Sequence, residues 1–277
     1  MKPIIKWPGG KRKLVDRLIP TAMKINNYCE PFVGGGAVAF KLLGEKRIKG
    51  TCTISDINEE LINVYRVVRD DARNLVSKLL AMQSKHNKSF YYEMREQDRL
   101  DTYAEMSNLD KAVRFIYLNK TCFNGLYRVN SKGQFNVPIG SYTNPVLVVP
   151  EDVYSLSCLL EDVLIECLDY KKILSGVVKD TLVYLDPPYA PLTKTSNFVG
   201  YSKEGFSLND QEELSELVDL LTRKGVSVIQ SNSGSSVIYN LYKHYQIIDI
   251  KVRRSISANS DSREEVKEVI ITNDFVF

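Results

Sequence analysis

Asp186, Pro187, Pro188 and Tyr189 follow directly on the apolar run Leu182, Val183, Tyr184 and Leu185. The run reads as a buried strand of a parallel sheet, which puts the tetrapeptide at the strand's carboxyl end, where such sheets bind ligands. Consecutive prolines fix φ and remove two N–H donors, so the strand stops in a rigid bend whose carbonyls face outward. A carboxylate flanks that bend on one side and an aromatic ring on the other. The product is a pocket edge with acceptors and a stacking plate, suited to holding a planar ring by its exocyclic amino group.

A second group of residues points to a nucleotide-like ligand. Gly34, Gly35, Gly36 and Ala39 fit a loose strand-to-helix glycine turn, in which missing β-carbons let backbone come close to a ligand. Asp56, at the end of the next strand, stands where an acid can hydrogen-bond both hydroxyls of an adenosine ribose; it could equally cap the helix that begins near Asn58. At the amino terminus Lys6, Trp7, Pro8, Gly9, Gly10 and Lys11 precede any regular element. Trp7 reads either as ligand wall or as core plug, and Lys11 either as ligand-binding or as solvated.

Around these residues the pattern is that of an α/β protein. Tyr28 leads through Pro31, Phe32 and Val33 into the glycine turn, followed by a helix from Ala37 to Leu43 and a strand from Thr51 to Ser55. After Asp56 the apolar spacing turns helical, through Leu61, Tyr65, Leu75, Leu79, Val113 and Ile116. A small hairpin is predicted where Tyr127 to Val129 and Gln134 to Val137 flank the turn Asn130 to Gly133. The α/β rhythm resumes with a helix from Glu151 to Leu160, strands at Val163 to Leu168 and Leu182 to Leu185, and a helix from Asn209 to Arg223. The last of these has a capping-box start at Ser207 and Asp210 and a stop at Gly225. Strands at Val226 to Gln230, Ile247 to Val252 and Val266 to Ile271 complete the chain. The expected architecture is a doubly wound, Rossmann-like sheet formed by 1–58 and 149–277, interrupted by a mainly helical insertion, 59–148, that carries the hairpin.

The 277 residues, 44% hydrophobic and 26% charged, describe a globular chain and exclude disordered and fibrous classes. No apolar run approaches the roughly 18 residues that span a bilayer, and no signal-like segment opens the chain, so a cytoplasmic protein is expected. Five cysteines, Cys29, Cys52, Cys122, Cys158 and Cys167, have no metal or redox spacing and read as reduced core residues. With His86 and His244 as the only histidines, no metal is expected. The net charge of +3 decides little, but Lys111, Arg114, Lys120, Arg128 and Lys132 face a single acid, Asp110, in the insertion. Lys251, Arg253 and Arg254, with Arg263, form a second basic group; both groups are candidates for phosphate contact.

Taken together, the stretches Lys6 to Lys11, Glu30 to Val38, Asp56 to Asn58, Asn119 to Asn130, Phe135 to Gly140, Val183 to Pro191 and Val252 to Asn259 resemble the Dam-type DNA adenine N6 methyltransferases. Arg253 to Asn259 is similar to the GATC-methylating branch of that family. The resemblance implies S-adenosyl-L-methionine as cofactor, bound by Trp7, Lys11, Asp56 and Asp186, with Phe32, Gly34 and Gly36 of the glycine turn counted with them. It implies a catalytic pocket of Asp186, Pro187 and Tyr189. It also implies double-stranded DNA as partner, read by Lys6, Phe123, Asn124, Leu126, Arg128 and Pro138. Phe123 stands where the family often has tyrosine, so it can wedge between bases but offers no hydroxyl.

Adenine N6 has its lone pair delocalised into the ring, and inside a duplex it is out of reach, so the base must be flipped out. Asp186 and the Pro187 carbonyl can then each accept one N6 hydrogen while Tyr189 stacks on the base, and methyl transfer leaves S-adenosyl-L-homocysteine. This scheme needs neither metal nor covalent enzyme intermediate, and one set of reading residues suits a monomer. Phe123 with Asn124 suits a wedge in a base step, though an aromatic at that spacing also suits a core; Arg128 suits a guanine edge or a plain charged surface. The competing readings are an N4-cytosine or RNA adenine methyltransferase, and a non-catalytic DNA-binding module with a decayed cofactor fold.

Overall fold

The computed structural model of the protein describes residues 3–12, 14–191, 206–253 and 265–273. Of the stretch that resembles the GATC branch, residues 254–259 lie outside these, as does Arg263.

A seven-stranded sheet organises the chain, in the order β3-β2-β1-β4-β5-β7-β6. Its members are β1 (Asn27–Glu30), β2 (Cys52–Ser55), β3 (Val163–Glu166), β4 (Thr181–Leu185), β5 (Ser227–Ser233), β6 (Gln246–Arg253) and β7 (Glu265–Thr272). The pairs β1–β2, β2–β3, β1–β4 and β4–β5 are parallel, while β7 runs antiparallel between β5 and β6. From β1 the chain winds outward to β3, then returns to β4 beside β1 and winds the other way. The carboxyl ends of β1 and β4 thus flank the topological switch point, where an open α/β sheet leaves a crevice. All five residues of β4 are buried, as its unbroken apolar run requires.

The expected elements appear with small shifts of boundary. α1 (Val15–Leu18) precedes β1, and α2 (Ala37–Gly44) follows the glycine turn. α3 (Glu59–Asp70) turns Leu61, Ile62, Val64, Tyr65, Val67 and Val68 inward, and its amino end is capped by Asn58, whose Oδ1 accepts the Leu61 N–H at 3.0 Å. Arg66 and Arg69 of α3 donate to the carbonyls of Ile165 and Val163, which ties this helix to β3. α4 (Ala72–Gln83), α5 (Lys88–Glu96) and α6 (Asn108–Thr121) follow. α7 (Pro150–Leu160) starts on a proline at its first position, where a missing N–H costs nothing. α8 (Tyr170–Ser175), α9 (Leu208–Arg223) and α10 (Ser236–Leu241) cover the other face of the sheet. The capping box at Ser207 and Asp210 is formed, and Gly225 has φ +72°.

Two apolar clusters flank the sheet. The larger joins β1, β2 and α2 to α3, α4 and α6 without a break, and the smaller fills the space between β4, β5, α8, α9 and α10. α6 is buried on almost every side, from Ala112 to Asn119, so it is the internal post of the helical region rather than an amphipathic surface helix.

Three expectations need correction. The hairpin around Asn130 is held by single bridges, Val129 to Phe135 and Cys122 to Ile139, without regular strands. Its turn is fixed instead by the Asn130 side chain, which accepts the N–H groups of Lys132 and Gln134, both at 3.0 Å. Arg114, expected at the surface to meet phosphate, is 1% exposed and spends its guanidinium inside the protein. Of the five cysteines, all free, only Cys29, Cys52 and Cys122 are buried; Cys158 is exposed.

Candidate functional site

The glycine turn leaves β1 with Gly34 and Gly36 at φ +46° and +67°, a region that glycine alone enters freely. A β-carbon on Gly34 would lie 2.7 Å from the Trp7 ring, and one on Gly36 2.1 Å from the Phe40 ring. The close approach that these glycines allow is therefore to two aromatic side chains of the protein. Trp7 is held from behind by Tyr127 and Phe115, its ring centroid 5.5 and 6.5 Å from theirs. It is core plug and pocket wall at once, since a pocket of about 150 Å³ is lined by Trp7, Lys11, Glu30, Phe32, Gly34, Gly35 and Asp186 among others.

Asp56 follows β2 directly, beside this turn. Its Oδ2 accepts the Gly34 N–H at 3.1 Å and its Oδ1 the Asn58 N–H at 3.0 Å, so it shapes both loops while Asn58 caps α3. Burial pushes its carboxyl up to about 6. Phe32 packs its ring on Tyr170 at 5.2 Å and edge-on to Phe206 at 6.0 Å.

At the end of β4, Asp186 meets Lys11, which is not solvated but buried. Lys11 Nζ lies 3.1 Å from Asp186 Oδ1, donates to the Gly9 carbonyl at 2.8 Å, and stands 4.9 Å from the centre of the Tyr189 ring. Burial raises the Asp186 carboxyl, and Lys11 opposes the rise. The peptide that carries these groups is gripped from the neighbouring elements. Gln211 Nε2 donates to the Pro188 carbonyl at 2.8 Å, Asn232 Oδ1 accepts the Ala190 N–H at 3.2 Å, and Ser233 Oγ donates to the Ala190 carbonyl at 2.7 Å. Pro187 is buried beneath them.

The sequence reading missed this supporting polar group, and it missed Glu30. Glu30 ends β1 almost fully buried, and its Oε2 accepts both the Tyr28 hydroxyl at 2.7 Å and the Ala39 N–H at 3.0 Å. Burial pushes it up to about 8. A charged residue closing an apolar strand ahead of a glycine turn was the available signal; for Asn232 and Ser233 the only hint was a polar run ending β5, and Gln211, in the first turn of α9, carried none. Glu30, Asp56 and Asp186 bring carboxyl oxygens into or beside the pocket, all three with pKa raised by burial, while Lys11 and Arg12 are the cations that line it.

Of the residues expected to read DNA, Lys6 and Asn124 line a second, open cleft of about 540 Å³, which shares Trp7, Pro8 and Arg12 with the first and runs to Gly125. Asn119, buried on α6, clamps the amino-terminal segment: it accepts the Lys6 N–H at 2.7 Å and donates to the Lys6 carbonyl at 2.8 Å. Lys6 Nζ donates to the Tyr142 hydroxyl at 2.8 Å. Phe123 is 47% exposed, so it is not core, and Asn124 beside it sits at φ +53°. The Phe123 N–H donates to the Pro138 carbonyl at 2.9 Å, and half-buried Leu126 follows. Arg128 is exposed on the same turn, its Nε donating to Asn136 Oδ1 at 2.7 Å. Lys6, Phe123, Asn124, Leu126 and Pro138 are thus brought together, with Arg128 further out. Among the neighbouring cations, Lys120 is pushed down to about 8 by burial and by Lys6, while half-buried Lys111 turns to the Ala104 carbonyl.

A switch-point crevice with a glycine turn on one wall and an Asp-Pro-Pro-Tyr bend on the other, opening into a basic cleft, describes a methyltransferase with a large substrate. The chain belongs to the D12 class of N6 adenine-specific DNA methyltransferases, whose family model matches residues 7–256. It is 41% identical over 278 residues to the type II methyltransferase M1.LlaDCHI of Lactococcus lactis subsp. cremoris, covering 99% of this chain and 95% of that one. To the type II methyltransferase M.MjaIII of Methanocaldococcus jannaschii it is 38% identical, covering 99% of both. To the DNA adenine methylase of Haemophilus influenzae it is 34% identical, covering 97% of this chain and 92% of that one. The protein is an adenine-specific DNA methyltransferase, and such an enzyme uses S-adenosyl-L-methionine. Among the described residues no helix is long and apolar enough to cross a membrane.

Proposed function

We propose that the enzyme methylates N6 of the adenine in double-stranded GATC, one strand at a time and as a monomer in the cytoplasm, after flipping the base out of the duplex. The single observation that carries this reading is the amino-terminal segment that joins the two clefts. Lys6 is clamped by Asn119 and lines the cleft with Asn124, Trp7 lies against the glycine turn, and Lys11 pairs with Asp186. Catalysis is assigned to 1–58 and 149–277 and target reading to 59–148.

The donor set fits S-adenosyl-L-methionine, whose ammonium and ribose hydroxyls can donate to the carboxyl oxygens of Asp56 and Asp186 in or beside the pocket. When bound, it supplies the electrophilic methyl group. Trp7, Lys11, Phe32, Gly34, Gly36 and Asp56 bind and orient it, with Asp56 the acceptor for ribose hydroxyls, and Asp186 borders both ligands. The Pro188 carbonyl is committed to Gln211, so the two N6 hydrogens are assigned to the Asp186 carboxylate and the Pro187 carbonyl. Holding both turns the nitrogen lone pair out of conjugation, and Tyr189 fixes the plane of the base. The proton shed after transfer passes to Asp186 or to water. Phe123 and Asn124 fill the gap that the flipped base leaves, while Lys6, Leu126, Arg128 and Pro138 read the flanking bases.

Expression in cells that lack adenine methylation, followed by sequencing that detects modified bases, is expected to place N6-methyladenine at GATC. Methylation of another motif, or of cytosine, overturns the reading. Arg128→Ala is expected to relax specificity at one guanine, because a bidentate arginine is worth about 1 to 3 kcal/mol of discrimination. Lys132→Ala, exposed at the turn, is expected instead to weaken every duplex alike and to reduce the salt dependence by about one unit of slope. Measuring both variants on the cognate duplex and on duplexes changed at each guanine separates these outcomes. Equal loss on all duplexes for Arg128→Ala would make it a backbone contact.

A further inference from the structure

One buried carboxylate beside the reacting groups has no part in the mechanism above. Glu268 lies on β7, opposite Ser233 of β5 and Ile250 of β6 in the sheet register, and is 9% exposed. Its Oε2 accepts the Tyr189 hydroxyl at 3.0 Å and stands 4.0 Å from Lys11 Nζ. Asp186, Lys11, Glu268 and Tyr189 therefore close a ring in which one ammonium faces two carboxylates and one hydroxyl anchors an aromatic plate. A carboxylate is costly to bury without such partners.

We propose that Glu268 is a positioning residue for methyl transfer: it fixes the Tyr189 ring through the hydroxyl and gives Lys11 a second counter-ion, so that Asp186 can turn from the lysine to the incoming amine. The proposal rests on the reading of Asp186 and Tyr189 as the target-base pocket. From the sequence alone only the ring of Tyr189 has a role. In the structure its hydroxyl has one too, because the paired strands β5 and β7, which hold the Ala190 backbone through Asn232 and Ser233, also hold the ring by its far end through Glu268. A ring fastened at both ends presents a fixed face, whereas one fastened only at its backbone can tilt.

The test pairs single-turnover methylation with the fluorescence of a duplex carrying 2-aminopurine at the target adenine, a probe that a stacked aromatic ring quenches. Glu268→Ala is expected to slow single-turnover transfer about tenfold, the scale of one charge-assisted hydrogen bond, and to brighten the bound probe. Glu268→Gln keeps an acceptor for the hydroxyl but no charge. It is expected to leave the probe as quenched as in the wild type while the rate still falls. Tyr189→Phe is expected to brighten the probe, and the double variant Glu268→Ala/Tyr189→Phe to be no brighter than Glu268→Ala. Wild-type behaviour of Glu268→Ala in both readouts, or brightening that simply adds in the double variant, overturns the proposal. If Glu268→Ala does not fold, the isosteric Glu268→Gln decides, and an unchanged rate overturns it. Asp186→Ala measured alongside separates the levels: activity in that variant removes the pocket reading itself, whereas its inactivity with normal Glu268 variants removes only this inference.

Discussion

Asp186→Ala is expected to retain less than about 1% of the wild-type transfer rate, because a well-placed acceptor at a reacting nitrogen is worth on the order of 3 kcal/mol in the transition state. Cofactor binding is expected to weaken as well, since Asp186 lines the pocket beneath the glycine turn. The loss should be chemical rather than structural. Lys11 keeps Glu268 at 4.0 Å and the Gly9 carbonyl at 2.8 Å as partners, so the substitution leaves no stranded buried cation. A melting temperature near that of the wild type, with single-turnover transfer nearly abolished, is the expected pair of results. Asp186→Asn preserves one acceptor oxygen without the charge and is expected to fall between. A rate above about 1% for Asp186→Ala would mean that the N6 hydrogens are held elsewhere.

What could be read from the residues in order was whatever a single local pattern carries. The unbroken apolar run before Asp186 announced β4, the glycine run announced the turn after β1, and Ser207 with Asp210 announced the start of α9, because strand burial, positive φ and helix capping are each decided within a few residues. The antiparallel place of β7 between β5 and β6 was not legible, nor was the hairpin's reliance on Asn130 instead of strand pairing, since neither follows from periodicity. The same limit explains the site. Asp186, Lys11 and Asp56 belong to short motifs and could be named, whereas Glu268, Gln211, Asn232 and Asn119 act across separations that only the fold closes. Lys11 and Arg114 show the cost most plainly, since a charged side chain carries no mark in its own neighbourhood of whether it will be solvated or buried.

Arg114 gives the sharpest contrast between the two levels of reading. Its Nη2 lies 2.6 Å from Asp98 Oδ2 and its Nη1 3.2 Å from Glu60 Oε1, while Nε and Nη2 donate to the carbonyls of Met94 and Arg95 at 2.9 and 3.0 Å. The same Asp98 Oδ2 accepts the Phe135 N–H at 2.8 Å, and Arg99 donates to the Phe135 carbonyl at 2.8 Å. Glu60 accepts the Tyr127 hydroxyl at 3.2 Å, and Tyr127 backs Trp7. One buried guanidinium therefore supports both the hairpin and the tryptophan wall of the cofactor pocket. Arg114→Met fills much of the same space but takes from Glu60 its cation and leaves Asp98 with Arg99 alone, an imbalance that costs about 3 kcal/mol. Thermal unfolding is expected roughly ten degrees lower, given about 2 to 4 degrees per kcal/mol in a chain of this size. Arg114→Lys is expected to recover little, because a single ammonium cannot serve two carboxylates and two carbonyls that a planar fork reaches together. A phosphate-binding arginine would behave oppositely, with the melting temperature kept and the salt dependence of DNA binding reduced. Calorimetric unfolding of the DNA-free variants beside binding titrations at several salt concentrations distinguishes the two, and an unchanged melting temperature for Arg114→Met would return this residue to the surface.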